Sequence, residues 1–330
     1  MVGENFYRVS GANPATFFIV HKNEFLMQRN FILISAANDK YVPYLSATLA
    51  SLQPIIMLYD VGIYDLGLSE SSKNALSALC DGRVTFVDPQ WCRPVPNQDS
   101  LPSYKKVFLA KAFIPDFFPS YQGYVWIDAD MWFPQPSAIE DYIAASEKTG
   151  FAVSYECHPS YETILKYRTL SVFGKTFIKG TKSYKFNKIQ RYFGLAAAIK
   201  WGLTPVMNSG IFCIRHDSAA WKHWQHKILT ADLSKEGNRT QICDQTCLDI
   251  GTKEADLLPT PMPATHNWCV ELARPLLCSE TKALLDPMFP HLPIKVVHLL
   301  GDSMTQSYPI QKTDGTTIET KLTAEAIHAL

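Results

Sequence analysis

The sequence predicts an α/β fold in which helices flank a mostly parallel central sheet. Short, continuously apolar segments, typical of strands buried on both faces, alternate along the chain with segments of helical periodicity. One apolar segment, residues 124–127, runs directly into Asp128 and Asp130. Alternating strands and helices form parallel sheets through right-handed crossovers, and ligands collect beyond the carboxyl ends of the strands. We therefore expect both aspartates at the ligand-binding edge of the sheet.

The first half of the chain supplies parallel strands and their crossovers. Residues 31–37 are apolar and end in small residues, as expected for a buried strand. Leu45, Leu49 and Leu52 recur at helical spacing and predict a helix over 41–52. Further along, we expect strands at 55–59, 84–87 and 124–127, a helix end at 76–79, and a helix at 107–113 that stops before Pro115.

The second half continues the alternation. We expect strands at 151–154, 206–214 and 294–297, and helices at 219–229, from Asp244 onward and at 323–330. The strand at 206–214 is interrupted by Asn208-Ser209-Gly210. Glycine weakens a strand and often marks the close approach of a ligand or another backbone. Asp244 is explained equally well by the preference of carboxylates for helix N-termini.

Composition sets the size and the broad class of the protein. The chain has 330 residues, of which 47% are hydrophobic, enough for one large domain or two small ones. Its formal net charge is +0, so the global charge does not favour a nucleic-acid partner. We expect an N-terminal extension at 1–30, a main domain at 31–301 with a basic insertion at about 160–200, and a C-terminal accessory segment at 302–330.

Cysteine usage and hydropathy indicate a cellular compartment. The 8 cysteines are scattered along the chain, and they lack the paired C-x-x-C spacing that is typical of a zinc site. We therefore expect reduced thiols. The apolar run at 15–20 is too short for a signal peptide, and nowhere do about 18 consecutive apolar residues occur. We expect a cytoplasmic protein with at most peripheral membrane contact.

Asp128 and Asp130 predict a metal site. They are separated by one residue and lie between apolar segments at 125–127 and 131–133. In an extended chain the side chains at i and i+2 share a face, so the carboxylates converge. A buried carboxylate pair repels itself and needs a cation or protons. Mg²⁺ or Mn²⁺ beside a nucleotide is usually held in this way. A solvated turn is the alternative, which the apolar surroundings disfavour.

A basic segment lies between Tyr161 and Lys200, with nine cations against one acid, Glu162. Such a run is either an ordinary solvated face or a basic flap over an anionic acceptor or a diphosphate. Aromatic residues among the cations indicate that the segment packs on the protein. The cations are Lys166, Arg168, Lys175, Lys179, Lys182, Lys185, Lys188, Arg191 and Lys200.

Four motifs in order carry a resemblance to a known family. The acidic pair Asp128-Ala129-Asp130 is followed by Asn208-Ser209-Gly210, then Asp244-Gln245, then His298 with Gly301 three residues later. Together they resemble the glycosyltransferases of the GT-A fold, and most closely glycosyltransferase family 8, from residue 31 to about 301. The acidic pair alone occurs in many families, whereas the ordered combination is much more specific.

The resemblance implies a role for each motif. It implies three metal ligands, Asp128, Asp130 and His298, and three catalytic residues beside the donor sugar, Asn208, Asp244 and Gln245. The donor nucleotide would contact Ala36, Asn38, Tyr41, Lys111, Ala129 and Gly301 as well as the acidic pair. Taken alone, His298 is more often a core or surface histidine. Sugar stacking by Trp132, Trp201 or Trp268 is likewise less common than core packing.

Some positions depart from the family pattern. Asn38 and Lys40 differ from its usual residues, and Lys111 stands where the family often has arginine. The family motif that starts at the histidine usually continues to a Lys-Pro-Trp that binds the diphosphate, whereas this chain has Met304-Thr305-Gln306. The substitutes would come from the basic insertion, namely Lys175, Lys179, Lys182 and Lys185.

The resemblance implies a Mn²⁺- or Mg²⁺-dependent transferase. It would move a hexose from a nucleotide sugar, by resemblance a UDP-hexose, to a glycan or lipid-linked acceptor, with retention of configuration. A bound cation would stabilise charge on the leaving phosphate. Two alternatives stay open. One is a non-catalytic nucleotide- or sugar-binding module on a transferase scaffold. The other is a haloacid-dehalogenase-type phosphatase, in which Thr or Val is usual where this chain has Trp132.

Overall fold

The computed structural model describes residues 30–161, 165–233 and 244–330. Nearly all of the predicted N-terminal extension, and Glu162, lie outside the described residues. Residues 165–170 and 176–184 are described by their backbone. Within the described part of the chain, helices cover both faces of a seven-stranded sheet, which confirms the predicted α/β class.

The strands are short, and most residues in the strands of the seven-stranded sheet are buried. They are β1 (Phe31–Ala37), β2 (Asp60–Asp65), β3 (Val84–Val87), β4 (Gly123–Ile127), β5 (Met131–Trp132), β6 (Phe151–Tyr155), β7 (Leu165–Val172), β8 (Lys175–Ser183), β9 (Met207–Arg215), β10 (Thr260–Met262), β11 (Trp268–Cys269), β12 (Leu276–Leu277), β13 (Leu284–Leu285), β14 (Val297–His298), β15 (Tyr308–Gln311) and β16 (Thr317–Thr320).

The helices join successive strands as crossovers. They are α1 (Val42–Ser51), α2 (Gln53–Ile56), α3 (Glu70–Leu79), α4 (Val107–Ala110), α5 (Ile114–Phe117), α6 (Ala138–Thr149), α7 (Tyr184–Trp201), α8 (Ala220–Thr230), α9 (Asp244–Glu254) and α10 (Ala324–His328). The predicted helix at 107–113 is α4 followed by a 3₁₀ turn, and Pro115 lies in the first turn of α5. Proline is tolerated there because the first-turn amides have no partner within the helix.

The central sheet has the strand order β10-β6-β9-β4-β1-β2-β3. β1 is parallel to both β2 and β4, and β6 is parallel to β10. β9 is antiparallel to both of its neighbours, β4 and β6. The sheet is therefore mostly parallel, as predicted, with one reversed strand near its middle. This reversal brings the start of β9 beside the end of β4.

The predicted strand at 55–59 is wrong. Residues 53–56 form the short helix α2 with Pro54 in its first turn, and the strand is β2, which starts at Asp60. Ile56 and Tyr59 are fully buried under the sheet, so the apolar run reflects burial of the connection and not strand structure. A short apolar run does not distinguish a strand from a buried helical turn.

A second, three-stranded sheet adjoins the first in the order β11-β14-β5. The C-terminal hairpin β15–β16 and α10 cover it, with Ile310, Leu322 and Ile327 in the same apolar cluster as Trp132 and Trp268. These two tryptophans are at most 3% exposed, so they are core residues and not sugar platforms. Where a strand was predicted at 294–297, the structure has β14, which covers only residues 297–298 because only these two residues pair with neighbouring strands.

The basic insertion forms a hairpin, β7–β8, followed by α7. Helix α7 is interrupted at Gly194, whose φ of 87° lies in the left-handed region. The amide of Glu156 donates to the carbonyl of Val206 at 2.8 Å, so the two ends of the segment 157–205 lie side by side. Val206 lies two residues before Asn208.

The seven cysteines among the described residues are free thiols. In the same part of the chain, no helix combines the length and the apolar character that crossing a bilayer requires.

Candidate functional site

A turn at the end of β4 brings Asp128 and Asp130 together. Ala129 and Asp130 are in a turn, so the carboxylates do not converge through an extended strand as predicted from their spacing. The hydroxyl of Thr48 lies 2.9 Å from the carbonyl oxygen of Ala129, and the amide of Asp128 donates to Gly210 on β9 at 2.7 Å. The turn links β4 of the large sheet to β5 of the small sheet.

His298, at the end of β14, faces the two aspartates. Its Nδ1 lies 2.9 Å from Oδ1 of Asn267, so this nitrogen donates and Nε2 is left to face the carboxylates. Nε2 lies 3.5 Å from Asp130 Oδ1 and 3.9 Å from Asp128 Oδ2. This nitrogen is buried and has no hydrogen-bond partner among the described residues. An unpaired buried ring nitrogen facing two carboxylates is the arrangement of a metal ligand.

Asp128, Asp130 and His298 fit a divalent cation. Their ligand atoms lie within 4.8 Å of one another. Burial alone would lower the pKa of His298, but Asp130 and Cys269 raise it well above its ordinary value. The cluster thus attracts positive charge, which a divalent metal supplies without a proton. Two carboxylates and one imidazole suit Mn²⁺ and related ions.

Gly210 makes room for His298. A Cβ at position 210 would lie 2.4 Å from Cε1 of His298 and 2.7 Å from Cε of Met131. Glycine inside this strand therefore marks the close approach of the His298 ring.

Lys111 connects the acidic pair to Asp244. Its ammonium lies 2.9 Å from Asp128 Oδ1 and 3.2 Å from Asp244 Oδ2, over the ring of Trp126. Burial opposes the charge, but the two carboxylates outweigh it and raise the pKa of Lys111. Trp126 Nε1 also donates to Asp128 Oδ1 at 2.6 Å. Oδ1 of Asp128 thus accepts hydrogen bonds from protein donors, and Oδ2 is the oxygen available to a cation.

Asn208 and Gln245 converge on Glu156, which the sequence analysis missed. The side-chain amides of Asn208 and Gln245 donate to the same oxygen, Oε1 of Glu156, at 3.0 and 3.1 Å. Asn208 also donates to Cys269 Sγ, and its oxygen accepts from the Gly210 amide. In this structure both amides donate within the protein, and their donation to sugar hydroxyls stays a prediction.

Glu156 follows β6 as Asp128 follows β4, at the same edge of the sheet. This strand-end position was the available signal, but a single acid after a strand forms no motif. Burial raises the pKa of Glu156, and its bonds to Gln245 and Asn208 only partly offset this effect. Asn267, which orients His298, was missed for the same reason.

Asp244 is the first residue of α9, at the start of its first turn. Its carboxylate accepts from Ser209 Oγ at 3.2 Å and pairs with Lys111. It is buried, so its charge is neutralised inside the site and is not exposed to solvent.

A cavity of about 550 Å³ opens beside the metal ligands. Its wall includes Ala36, Asn38, Tyr41, Lys111 and Ala129, five of the residues implied for the nucleotide. Asn38 accepts from the Tyr41 amide at 3.2 Å and so caps the turn that shapes this wall. Gly301 has a φ of +53° at the start of a 3₁₀ turn, and nothing lies within 4 Å of the place of its Cβ.

Lys185 is not available as a diphosphate ligand. It is buried and pairs with Asp249 on α9, and it also donates to the carbonyl oxygens of Thr204 and Pro205. Burial lowers its pKa to about 8. Its predicted role as a phosphate clamp is wrong, because its ammonium anchors α7 to α9.

A comparison with protein-family models finds no match, and a comparison with curated proteins finds none. Among solved structures, the galactosyltransferase LgtC in complex with donor and acceptor sugar analogues is similar over 82% of this chain and 88% of that chain, at 15% identity and TM-score 0.45. Mouse xyloside xylosyltransferase 1 is similar over 82% and 97%, at 13% identity and TM-score 0.45. Core-mannan synthase A from Aspergillus fumigatus, in a Mn/GDP form, is similar over 68% and 69%, at 11% identity and TM-score 0.43. At these values the likeness does not by itself indicate a function.

Proposed function

We propose that this protein is a metal-dependent glycosyltransferase of the GT-A type that uses a nucleotide-sugar donor. One observation carries the proposal: the ligand atoms of Asp128, Asp130 and His298 come within 4.8 Å of one another beside a cavity that Asp128 and Asp130 themselves line. A nucleotide in that cavity would have its phosphates beside the metal ligands. By resemblance to family 8 the donor is a UDP-hexose, the acceptor a glycan or lipid-linked sugar, and the configuration is retained.

The site residues have distinct tasks in this reaction. The bond between the anomeric carbon and the phosphate oxygen breaks, a bond to the acceptor oxygen forms, and the acceptor proton leaves with the phosphate. A divalent cation at the Asp128, Asp130 and His298 site would stabilise charge on the leaving phosphate. Lys111 neutralises Asp244 and holds Asp128 in position. Glu156 orients Asn208 and Gln245 toward each other at the sugar end of the site.

The same contacts disfavour a DxD phosphatase. In that reaction the first aspartate would attack phosphorus, but Oδ1 of Asp128 already accepts hydrogen bonds from Lys111 and Trp126. Its other oxygen faces His298. A non-catalytic binding module would keep the same geometry, so activity must separate it from the transferase.

The test is hydrolysis and transfer with a panel of nucleotide sugars in the presence of Mn²⁺. We expect slow, acceptor-independent release of UDP from one UDP-hexose, abolished by chelator and by Asp130→Asn. Nucleotide binding without turnover in any acceptor screen would support the binding module. Product NMR tests the anomeric outcome separately, since an inverted product would remove the family-derived stereochemistry and leave the transferase.

A further inference from the structure

The basic insertion exposes large apolar side chains. Five of the thirteen exposed large hydrophobic residues among the described residues belong to this one segment. Phe173, at the tip of the β7–β8 hairpin, is 100% exposed and follows Val172, which is 40% exposed. A fully exposed phenylalanine at a hairpin tip contributes nothing to the core. It is therefore free to contact something outside the chain.

The second half of α7 carries further exposed apolar side chains. After the break at Gly194, Leu195 and Ile199 are 54% and 69% exposed and stand one helical turn apart. Leu203, just beyond the helix, is 70% exposed. Ala198 between them is fully buried against Ile189 and Ile250. This half-helix thus has one face on the protein and a second apolar face turned outward.

Positive charge accompanies these apolar residues. Residues 165–203 contain nine lysines and arginines and no acidic residue. Lys175 lies two residues after Phe173, and Lys200 directly follows Ile199, and both are exposed. Lys185, which pairs with Asp249, and Lys188 are buried, so these two cations do not belong to the surface, but seven others remain in the segment.

This combination fits an anionic bilayer better than a soluble phosphate. Exposed Phe, Leu and Ile do not bind a diphosphate, whereas they insert into the interfacial region of a membrane while neighbouring lysines contact lipid phosphates. We propose that residues 165–203 form a docking surface for an anionic lipid membrane, with Phe173, Leu195, Ile199 and Leu203 as the inserted side chains.

The surface is attached directly to the site. The Glu156 amide donates to the Val206 carbonyl, so the chain that leads into residues 165–203 starts at Glu156 and returns two residues before Asn208. Docking of the segment would hold the cavity near the lipid headgroups. If the proposed transferase function is correct, this position favours a lipid-linked acceptor. Membrane docking itself does not depend on that function.

The experiment is co-sedimentation of the full chain with vesicles of phosphatidylcholine alone or mixed with phosphatidylglycerol. We expect binding to the anionic vesicles, weakened by salt, and little binding to phosphatidylcholine. Phe173→Ser and the double variant Leu195→Ser/Ile199→Ser should each reduce the affinity about tenfold. Lys175→Glu/Lys200→Glu should reduce it by a similar factor.

Matched controls lie elsewhere on the surface. Leu258→Ser removes a 75% exposed leucine and Lys321→Glu reverses an exposed lysine, and both should bind like the unmodified chain. Equal thermal stability of all variants establishes that they fold. Donor hydrolysis without vesicles should be unchanged in Phe173→Ser, so failure of docking and failure of the transferase are seen separately.

Three results would overturn the proposal. The first is no binding of the unmodified chain to anionic vesicles. The second is binding that the lysine variant loses and the apolar variants keep, which would indicate a headgroup or soluble phosphate contact without insertion. The third is a stable dimer, in light scattering, that Leu195→Ser/Ile199→Ser dissociates, which would assign the face to a second copy of the chain.

Discussion

A single position, Gly210, allows a test of the proposed metal site, because no side chain larger than a hydrogen atom fits there. Gly210→Ala should displace the His298 ring, because the new Cβ would lie 2.4 Å from it. We expect Mn²⁺ affinity to fall at least about tenfold, since a ligand is moved out of place. Isothermal titration or electron paramagnetic resonance of Mn²⁺ measures this.

Gly62→Ala is the matched control. Its Cβ would lie 2.6 Å from Phe118, a core side chain. Overpacking should destabilise both variants by about 1–3 kcal/mol. Only Gly210→Ala should lose metal affinity. Equal metal affinities in the two variants would contradict the assignment of His298.

Glu156 makes a pH-dependent contribution to folding. Its pKa in the folded chain is raised above the ordinary value of 4.5 by burial. Its contribution to the free energy of unfolding is therefore complete below the unfolded pKa and is lost as pH rises through the folded pKa. Glu156→Gln removes this titration and keeps a side-chain oxygen for Asn208 and Gln245.

We expect Glu156→Gln to gain stability relative to the unmodified chain as pH rises from about 4 to about 7. Urea unfolding in chelator at a series of pH values measures the difference. A difference that is constant with pH, or that changes in the opposite direction, would show that the carboxyl is not buried in the folded chain.

Site residues that belong to a sequence motif could be predicted, and site residues outside any motif could not. Asp128, Asp130 and His298 belong to ordered motifs, and the structure brings their ligand atoms together. Glu156 and Asn267 bind other residues of the site and are not themselves candidate metal ligands. Their roles depend on contacts with residues that lie 31 to 89 positions away in the chain. Single polar residues at strand ends carry no pattern from which those contacts follow.

At the scale of elements, a buried ion cluster attaches α7 to α9. Asp249 on α9 is 1% exposed and pairs with Lys185 of α7, and with Lys253 at 2.7 Å. Asp249→Asn leaves two lysines without their carboxylate. We expect a loss of about 3–5 kcal/mol in the free energy of unfolding.

Amide exchange in α7 should also accelerate in Asp249→Asn, because the helix loses its anchor. Glu254→Gln is the control on the same helix. It breaks the pair with Lys227, in which the carboxylate is 40% exposed, and should change stability by no more than about 1 kcal/mol. A comparable loss in both variants would indicate a general weakness of α9 and not the buried anchor.

Strands and helices were predicted correctly where the hydrophobic period and the length of a segment indicated the same type of element. The runs at 31–37 and 124–127 are strands whose neighbours bury both faces, and the run at 84–87 is the edge strand β3, which is only half-buried. The run at 55–59 failed because Pro54 starts a helical turn there, and burial alone explains its apolar residues. The basic run could not reveal which lysines are buried, since for Lys185 burial depends on Asp249, 64 positions further along the chain.

For the whole molecule, the metal would join two sheets. Asp128 and Asp130 end β4 of the large sheet, and His298 ends β14 of the small one. A ligand that binds only the folded chain stabilises it by about 2.7 kcal/mol at a hundred times its dissociation constant. We expect Mn²⁺ to raise the unfolding temperature, and Ca²⁺ to raise it less because it prefers more oxygen ligands.

Differential scanning calorimetry with each ion measures these shifts. Asp130→Asn should lose the Mn²⁺ effect while it keeps its unfolding temperature in chelator, because removal of one repelling carboxylate offsets its lost contacts. An undiminished Mn²⁺ shift in Asp130→Asn would place the ion elsewhere.

The overall architecture followed from the alternation of apolar and helical segments. The reversed strand β9 did not, because its direction depends on the path of the insertion between β6 and β9. The C-terminal hairpin β15–β16 could not be predicted either. Its alternate residues are only partly buried, so its sequence lacks a clear alternation of apolar and polar residues.

Within the described part of the chain, β7 and β8 pair only with each other, and this has a consequence for evolution and engineering. The length and the surface of this hairpin can change without altering the register of the central sheet. Natural variation and deliberate grafting can therefore act on residues 165–183 as an exchangeable unit, whereas α7 must stay because Lys185 and the Tyr192 carbonyl hold it to α9 and to Asp232. A chimera that keeps α7 and carries a foreign hairpin should bind the surface that the foreign hairpin recognises and keep the chemistry of this protein's site.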